Sequence, residues 1–328
     1  MSLLINQELA MNKTDNNDQH SPKELLNTRA KDRLSLLEKK ATENVEVIFS
    51  KASSDWGTVL NNGRRGSQFA PTVLESMLLK MAGHPDKNKS FSFHEVTNLD
   101  IEKTQFEEGQ KSETTKLQSL LDKYPTAHLV HLGGGHDHIF PLFMALKPRL
   151  QNKKLFILNI DPHLDTRTDH WHNSGTPFRN IDQNAQNHQV KIYQWGTHLF
   201  ANGEKNFSGL THAQMEIQYF DEVKKECSNF SANKFDQILK SIEAFKPDYL
   251  LFSLDVDAYD GSCMKAVSAV NHKGFPPAVI EELYEALIKT KIPMIATGIY
   301  EYNPMFDDLA NSGGRILCSF IYDRILTK

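Results

Sequence analysis

The chain has 328 residues, of which 39% are hydrophobic and 24% charged, so it can bury the core of one large α/β domain or of two smaller ones. Its formal net charge of −4 gives no reason to expect nucleic acid or an anionic membrane as a partner. No apolar run approaches the roughly 20 residues that span a bilayer, and the polar stretch from Met1 to His20 lacks the apolar core of a signal peptide.

The first 42 residues differ in composition from the rest of the chain. They are rich in Asn, Asp, Lys and Gln, which predicts a polar extension, partly disordered, with a surface helix around 22–40. After this extension, short apolar runs alternate with longer amphipathic segments. We therefore expect an N-terminal extension over 1–42 and a single catalytic domain over 43–328.

Seven short and mostly apolar runs predict strands, several of them buried on both faces. These strands are Val45–Phe49, Ser90–Val96, Ala127–Leu132, Leu155–Ile160, Lys191–Trp195, Tyr249–Leu254 and Met294–Ile299. The amphipathic segments predict helices near 71–83, 106–123, 140–148, 212–226, 234–245, 277–290 and 313–326. This alternation indicates an α/β fold in which helices cover both sides of a parallel sheet. The stretch from Trp171 to Ser208, rich in Asn, Gln and Gly, is expected to be the main irregular insertion.

Four polar motifs directly follow four of the predicted strands. They are Gly133-Gly134-Gly135-His136, Asp161-Pro162-His163-Leu164-Asp165, Asp255-Val256-Asp257 and Glu301. In an open parallel sheet, functional groups collect at the carboxyl ends of the strands. We therefore expect the four motifs to converge in space.

The second and third motifs have the residue types and the spacing of a metal site. In an extended segment Asp161, His163 and Asp165 share one face, and the same spacing joins Asp255 and Asp257. Four carboxylates aimed at one point repel one another unless cations lie between them. Two divalent ions would balance them, and a mixed oxygen and nitrogen site suits Mn²⁺ better than a thiolate-rich zinc site does. The alternative interpretation is a set of Asp-rich turns in which Asp caps a helix.

From Val45 to the C-terminus the sequence resembles the ureohydrolase family, which comprises arginase, agmatinase and formimidoylglutamase. The resemblance includes the four motifs, Asn62-Gly63-Arg64-Arg65-Gly66, and Glu301-Tyr302-Asn303-Pro304. It implies an arginase-like fold, which is a three-layer α/β/α domain with a doubly wound, mostly parallel sheet, and a binuclear Mn²⁺ centre at the strand ends. The ligands of one ion match His136, Asp161, Asp165 and Asp255. Those of the other ion match His163, Asp161, Asp255 and Asp257, so that Asp161 and Asp255 would bridge the two ions.

The same resemblance implies two catalytic side chains. Glu301 matches the acid that grips the cationic nitrogen end of the substrate, where a carboxylate suits the planar N–H fork of an amidinium. Asp165 would accept a proton from the attacking water and pass it towards the leaving amine. This assignment follows the family and not the spacing of the residues.

The loop after the second motif discriminates among family members. Arginases and agmatinases carry a His before its Gly, whereas this chain has Ser174 there, in Asn173-Ser174-Gly175-Thr176-Pro177-Phe178-Arg179. The loop resembles that of formimidoylglutamases, and Arg167 stands where arginases carry Asn. Arginines bind carboxylates in a bidentate manner, which suits a substrate with a glutamate tail. The predicted substrate-binding residues are Arg167, Ser174, Gly175, Thr176, Arg179 and Glu301. Surface salt bridges are the alternative role for the two arginines.

Hydrolysis of N-formimidoyl-L-glutamate to L-glutamate and formamide is therefore the expected reaction, with two Mn²⁺ per subunit or other divalent metals in their place. One alternative is another ureohydrolase that releases urea from a guanidino compound. A second is a non-catalytic member that binds metal without turnover. The resemblance also implies a homo-oligomer.

Three features depart from the family pattern, and the cysteines bear on the compartment. Pro162 stands where the family usually has Ala, and the segment from Asp260 to His272 differs from the usual run after the third motif. The extension over 1–42 has no evident family counterpart. Cys227, Cys263 and Cys318 are widely spaced and form no CxxC pair, which indicates free thiols and a cytoplasmic protein.

Overall fold

The computed structural model describes residues 32–39, 44–185, 189–228 and 234–328. Within them, eight strands form one sheet in the order β2-β1-β3-β8-β7-β4-β5-β6. The strands are β1 Val47–Ala52, β2 Phe91–Glu95, β3 His128–Gly133, β4 Leu155–Ile160, β5 Val190–Thr197, β6 Gln214–Tyr219, β7 Tyr249–Asp255 and β8 Met294–Tyr300. Each pairing between neighbouring strands is parallel, which confirms the predicted parallel sheet.

Helices connect the strands in the described part of the chain. They are α1 Trp56–Leu60, α2 Ala70–Leu78, α3 Leu99–Thr104, α4 Phe106–Lys123, α5 Ile139–Leu150, α6 Pro177–Asn184, α7 Phe220–Ser228, α8 Asp236–Phe245, α9 Pro277–Lys289 and α10 Ser312–Phe320. Among the described residues, no helix combines the length and the apolar character that crossing a membrane requires. Helix α9 illustrates the local rule: proline occupies its first turn, and Ile280, Leu283 and Leu287 form its buried face.

The sheet separates two hydrophobic cores. Successive side chains of a strand point to opposite faces, so Phe156, Leu158 and Ile160 enter one core while Leu155 and Ile157 enter the other. Helices α2, α7, α8, α9 and α10 pack on the first face, and α4, α5 and α6 pack on the second. The structure therefore has the three layers, helix, sheet and helix, that the sequence predicts.

The predicted helix over 212–226 is wrong in its first half. Residues Gln214–Tyr219 form the edge strand β6, and the helix α7 begins only at Phe220. The strand is hard to recognise because its most buried side chain, Gln218, is polar and accepts a hydrogen bond from the Tyr193 hydroxyl at 3.0 Å. Tertiary contacts at the sheet edge thus override the helical pattern.

The predicted irregular insertion from Trp171 to Ser208 contains more regular structure than expected. Helix α6 lies within it, and β5 is longer than the predicted strand Lys191–Trp195. Most of the predicted N-terminal extension, including the start of its helix, lies outside the described residues. Of the part that the structure describes, Leu34–Leu37 form a short 3₁₀ turn, and Leu34 is fully buried.

Residue His128, at the start of β3, is expected to make folding stability depend on pH. Its Nδ1 lies 3.2 Å from the Met294 carbonyl oxygen and its Nε2 lies 3.0 Å from Thr297 Oγ1. Burial lowers the pKa of His128 from 6.5 to about 4. Below pH 6.5 the unfolded chain therefore takes up a proton that the folded chain refuses, and stability is lost as the pH falls towards 4.

We expect this residue to lower the free energy of unfolding by up to about 3 kcal/mol between pH 7 and pH 4. In a His128→Gln variant that part of the pH dependence should disappear. Urea unfolding of both proteins at matched pH values measures the difference. Parallel curves for the two proteins would show that His128 does not contribute.

Candidate metal centre and active site

The four strands that carry the polar motifs are neighbours in the sheet, in the order β3-β8-β7-β4. Because all of them are parallel, the residues after their carboxyl ends meet at one edge. The structure brings all six predicted metal ligands together there, in two groups. One group is His136, Asp161, Asp165 and Asp255, and the other is Asp161, His163 and Asp257.

The first group is centred on the ring of His136. Its Nδ1 lies 3.0 Å from Asp161 Oδ2, 3.1 Å from Asp165 Oδ2 and 3.3 Å from Asp255 Oδ2. Its other nitrogen, Nε2, lies 2.9 Å from the hydroxyl of Ser253, which fixes the orientation of the ring. A hydrogen bond to the second nitrogen is how proteins aim a metal-binding histidine.

The second group shares Asp161 with the first. His163 Nδ1 lies 3.3 Å from Asp161 Oδ1 and 3.3 Å from Asp257 Oδ2. Asp161 therefore directs one oxygen to each group, as a bridging carboxylate does. Asp255 directs Oδ2 to His136, while its Oδ1 accepts a hydrogen bond from the Asp257 amide at 2.9 Å. The bridging roles of Asp161 and Asp255 both stay predictions.

The electrostatics of these two groups fit divalent cations. Asp257 Oδ1 is buried without a hydrogen-bond partner, and His136 Nδ1 is buried among three carboxylates. Burial, together with the charge of Asp161, raises the pKa of Asp165 to about 6. Burial and the charge of Asp255 likewise raise the pKa of Asp257. Buried carboxylates that oppose one another's ionisation, beside the imidazole nitrogens of His136 and His163, are a donor set that divalent ions satisfy.

Glu301 closes one side of this site, with a left-handed backbone of φ 65°. Its Oε1 accepts hydrogen bonds from Thr58 Oγ1 and from the His136 amide, both at 3.0 Å. Its Oε2 is buried without a partner. Burial and the charge of Asp255 raise the pKa of Glu301 to about 8. Asp165 also has a positive φ, of 51°, and such strained residues concentrate at functional sites.

A cavity of about 270 Å³ lies over the two ligand groups. On the side of the metal ligands it is lined by His163, Asp165, Asp255, Asp257 and Glu301. Its other wall is polar, with Asn61, Arg167, Ser174, Asn202, Asn206 and Ser268 among its residues. The cavity thus joins a cation-binding end to a wall with hydrogen-bonding groups, as small-molecule sites require.

The predicted substrate-binding residues divide into two sets. Arg167, Ser174 and Glu301 line the cavity, whereas Gly175, Thr176 and Arg179 do not. Arg179 is only 8% exposed, and its guanidinium donates to the main-chain carbonyls of Thr166, Arg167, Lys205, Ser208 and Gly209. In this structure Arg179 therefore braces the loops around the site and does not line the cavity.

Two residues near α1 belong to the site but carry no sequence signal. Thr58 donates to Glu301, which is 243 positions away in the chain. Asn61, directly after α1, contacts both Arg167 and Ser174. Neither residue belongs to a motif with recognisable spacing, and only the packing of α1 against the strand ends brings them to the cavity.

A third buried group supports the loop that carries His136. Glu113 Oε2 lies 2.7 Å from His138 Nδ1, and Glu113 Oε1 lies 3.2 Å from His131 Nε2. His138 Nε2 faces the Ser54 carbonyl oxygen at 3.1 Å. Because a carbonyl and an ionised carboxylate only accept, both ring nitrogens of His138 donate. Burial opposes ionisation of Glu113, but His138 and His131 outweigh it and lower the pKa of Glu113 to about 2.

Replacing Glu113 by Ala is expected to lower the free energy of unfolding by about 3–5 kcal/mol, because it leaves a buried imidazolium without its counter-ion. Glu113→Gln keeps the volume and should cost less. Urea unfolding of the Mn²⁺-loaded protein measures both effects. Glu108→Ala, an exposed position on the same helix α4, is the control and should change stability by no more than about 0.5 kcal/mol. Equal stabilities for the Glu113 and Glu108 variants would contradict this role.

Comparison with known protein families matches residues 47–326 to the model of the arginase family. The chain belongs to the arginase family. Because the match extends over nearly all of the described strands and helices, the predicted membership of the ureohydrolases is confirmed.

Several formimidoylglutamases are similar to this arginase-family chain along most of its length. The Aliivibrio fischeri protein is 25% identical over 317 residues, covering 86% of each chain. The Staphylococcus aureus protein is 28% identical over 277 residues, covering 84% of each chain. Among solved structures, Trypanosoma cruzi formiminoglutamase with Mn²⁺ has a TM-score of 0.71 at 20% identity, over 88% of this chain and 95% of that one. The predicted similarity to formimidoylglutamases, which are hydrolases of this family, is thus confirmed, and the structural match shows the shared fold.

Proposed function

We propose that this protein hydrolyses N-formimidoyl-L-glutamate to L-glutamate and formamide, with two Mn²⁺ ions per subunit. The observation that carries the proposal is the cavity, whose lining combines Glu301 and residues of the Asp and His cluster with Arg167 and Ser174. The similarity to formimidoylglutamases, one of them the T. cruzi enzyme solved with Mn²⁺, supports the same substrate and metal.

Six side chains would hold the metal ions. They are His136, Asp161, His163, Asp165, Asp255 and Asp257. When bound, two such ions supply an activated water at neutral pH and stabilise the negative charge that develops during hydrolysis.

The protein's own residues bind the amidine end and move protons. The unpartnered Oε2 of Glu301 is placed to accept an N–H of the amidinium. Cations held by the Asp cluster, together with the amidinium itself, would favour the ionised form of Glu301 and make this a charge-assisted hydrogen bond. Asp165 lines the same cavity and would accept a proton from the attacking water and pass it to the leaving amine of glutamate. Water adds at the amidine carbon, the bond from that carbon to the glutamate nitrogen breaks, and formamide leaves.

The polar wall would hold the glutamate part of the substrate. Arg167 can form two parallel hydrogen bonds to a carboxylate, and Ser174 adds a hydroxyl. Because the guanidinium of Arg179 is occupied by main-chain carbonyls, we assign it no contact with the substrate. We also propose that the protein forms a homo-oligomer and is cytoplasmic. Light scattering would measure the native mass and thereby test the oligomer.

The decisive experiment loads the purified protein with Mn²⁺ and compares four substrates side by side. Formamide and urea release are measured for N-formimidoylglutamate, agmatine, arginine and guanidinobutyrate. Formamide from N-formimidoylglutamate supports the proposal. Urea from a guanidino compound would keep the metal centre but overturn the roles of Arg167 and Ser174, and no turnover with metal bound would select the non-catalytic alternative.

A further inference from the structure

We infer that Asn61 is a positioning residue that sets the polar wall of the cavity to recognise a carboxylate on the substrate. This inference rests on the proposed function, since it assigns the group that reads the glutamate tail. The Asn61 side-chain amide lies between the two predicted substrate contacts. Its Oδ1 accepts a hydrogen bond from Arg167 Nη1 at 2.7 Å, and its Nδ2 donates to Ser174 Oγ at 3.1 Å.

The orientation of this amide is forced by its partners. A guanidinium has only donors, so Arg167 must face the oxygen of the Asn61 amide. The amide nitrogen is then left to face Ser174 and can only donate to it. Because Ser174 Oγ accepts this hydrogen bond, its own hydroxyl proton is left to donate elsewhere, and Ser174 lines the cavity. The hydrogen bond from Asn61 thus leaves the Ser174 hydroxyl to act as a donor.

Main-chain hydrogen bonds also hold the segments around these three residues close together. The Ser174 amide donates to the Gly57 carbonyl at 3.0 Å, which ties the loop to α1, and the Arg167 amide donates to the Gly175 carbonyl at 2.9 Å. A Cβ at Gly175 would lie 3.0 Å from Arg167 Cδ and 3.1 Å from Asn61 Nδ2. The donors are therefore preorganised before a ligand binds, which lowers the entropic cost of binding.

A wall that presents a guanidinium and a hydroxyl donor is complementary to a carboxylate and not to a cationic or apolar tail. The part of the cavity lining formed by Glu301 and the Asp residues is complementary to a cationic amidine. A ligand with an amidinium at one end and a carboxylate at the other matches both parts of the lining. Asn61 is thereby a specificity determinant between carboxylate-bearing substrates and those with an amine tail.

The test is the nearly isosteric Asn61→Asp substitution in the Mn²⁺-loaded protein. An Asp side chain keeps the contact with Arg167, but its second oxygen can only accept, so the Ser174 hydroxyl must turn to donate to it. The variant also adds a negative charge beside the carboxylate of the substrate. We expect KM for N-formimidoylglutamate to rise at least about tenfold with kcat within about threefold. Asn61→Ala should also raise KM, because both contacts are lost.

Two further measurements separate this role from a structural one. The loss of kcat/KM in both variants should be at least about tenfold larger for N-formimidoylglutamate than for formamidine, an amidine without a carboxylate. The affinity for L-glutamate, measured by calorimetry, should fall at least about tenfold in Asn61→Asp. Asn152→Asp, the same chemical change at an exposed position before β4, is the control and should match the wild type. If Asn61 only filled space, the Asn61→Asp variant would also behave like the wild type.

The possible outcomes distinguish this inference from the proposed function. If the wild type hydrolyses N-formimidoylglutamate but Asn61→Asp leaves KM and glutamate affinity unchanged, the inference is overturned and the function stands. If the wild type fails to hydrolyse this substrate yet binds glutamate in a manner that Asn61→Asp abolishes, the function fails and the carboxylate-reading wall stands. If the wild type does not bind glutamate, the inference fails as well.

Discussion

An Asp161→Asn variant is expected to lose most of its bound metal and more than about 10³-fold in kcat. Asp161 is the residue that directs one oxygen to each ligand group, 3.0 Å from His136 Nδ1 and 3.3 Å from His163 Nδ1. Asparagine has nearly the same shape but offers a single, neutral oxygen acceptor. Its NH₂ group would face one ion with a donor, and one negative charge of the site would be lost.

Metal content by mass spectrometry and steady-state kinetics measure this effect together. The matched control is Asp122→Asn, because Asp122 is 80% exposed and pairs only with Arg149 among the ion pairs that the structure describes. It should keep full activity and metal. Removal of metal from the wild type with a chelator should reproduce the loss of activity, and added Mn²⁺ should restore it. Full metal content in Asp161→Asn would contradict the shared-ligand role.

A Glu301→Gln variant is expected to lose about 10²- to 10³-fold in kcat/KM for the amidine substrate while it keeps its metal. Glu301 Oε1 already accepts from Thr58 Oγ1 and from the His136 amide, so the oxygen of the glutamine amide must occupy that position. The NH₂ group would then point into the cavity, where the amidinium also brings N–H donors. Two facing donors and the loss of a negative charge both disfavour the cationic substrate.

The control for this second variant is Thr58→Val, which removes one hydrogen bond to Glu301 but leaves its charge. We expect it to lower kcat/KM by only about tenfold, because a single hydrogen bond to a charged group is lost. Metal content should be unchanged in both variants. If Glu301→Gln instead released metal, the role of Glu301 would be to hold the loop that carries the metal ligands. If Glu301→Gln kept activity within about threefold of the wild type, Glu301 would not bind the amidinium.

The sequence predicted the elements that depend on local pattern. Helix α4, Phe106–Lys123, begins and ends as predicted, and the buried strands follow from mostly apolar runs such as Leu155–Ile160. The prediction for the segment that forms strand β6 was wrong although Met215, Ile217 and Tyr219 alternate with polar residues, because this alternation is short and the buried position is the polar Gln218. Local periodicity reports burial only where the buried side chains are apolar.

By itself the sequence determined which chemistry the site can contain, since Asp and His at strand-end spacing specify a donor set for cations. Tertiary structure alone decided how that set is completed. The order β3-β8-β7-β4 makes the four motifs neighbours, and α1 brings Thr58 and Asn61 to the cavity. The tertiary structure also buries Arg179, whose guanidinium holds the loops together through hydrogen bonds to their main-chain carbonyls. These outcomes depend on contacts between distant segments of the chain, and the spacing of residues within a motif carries no information about them.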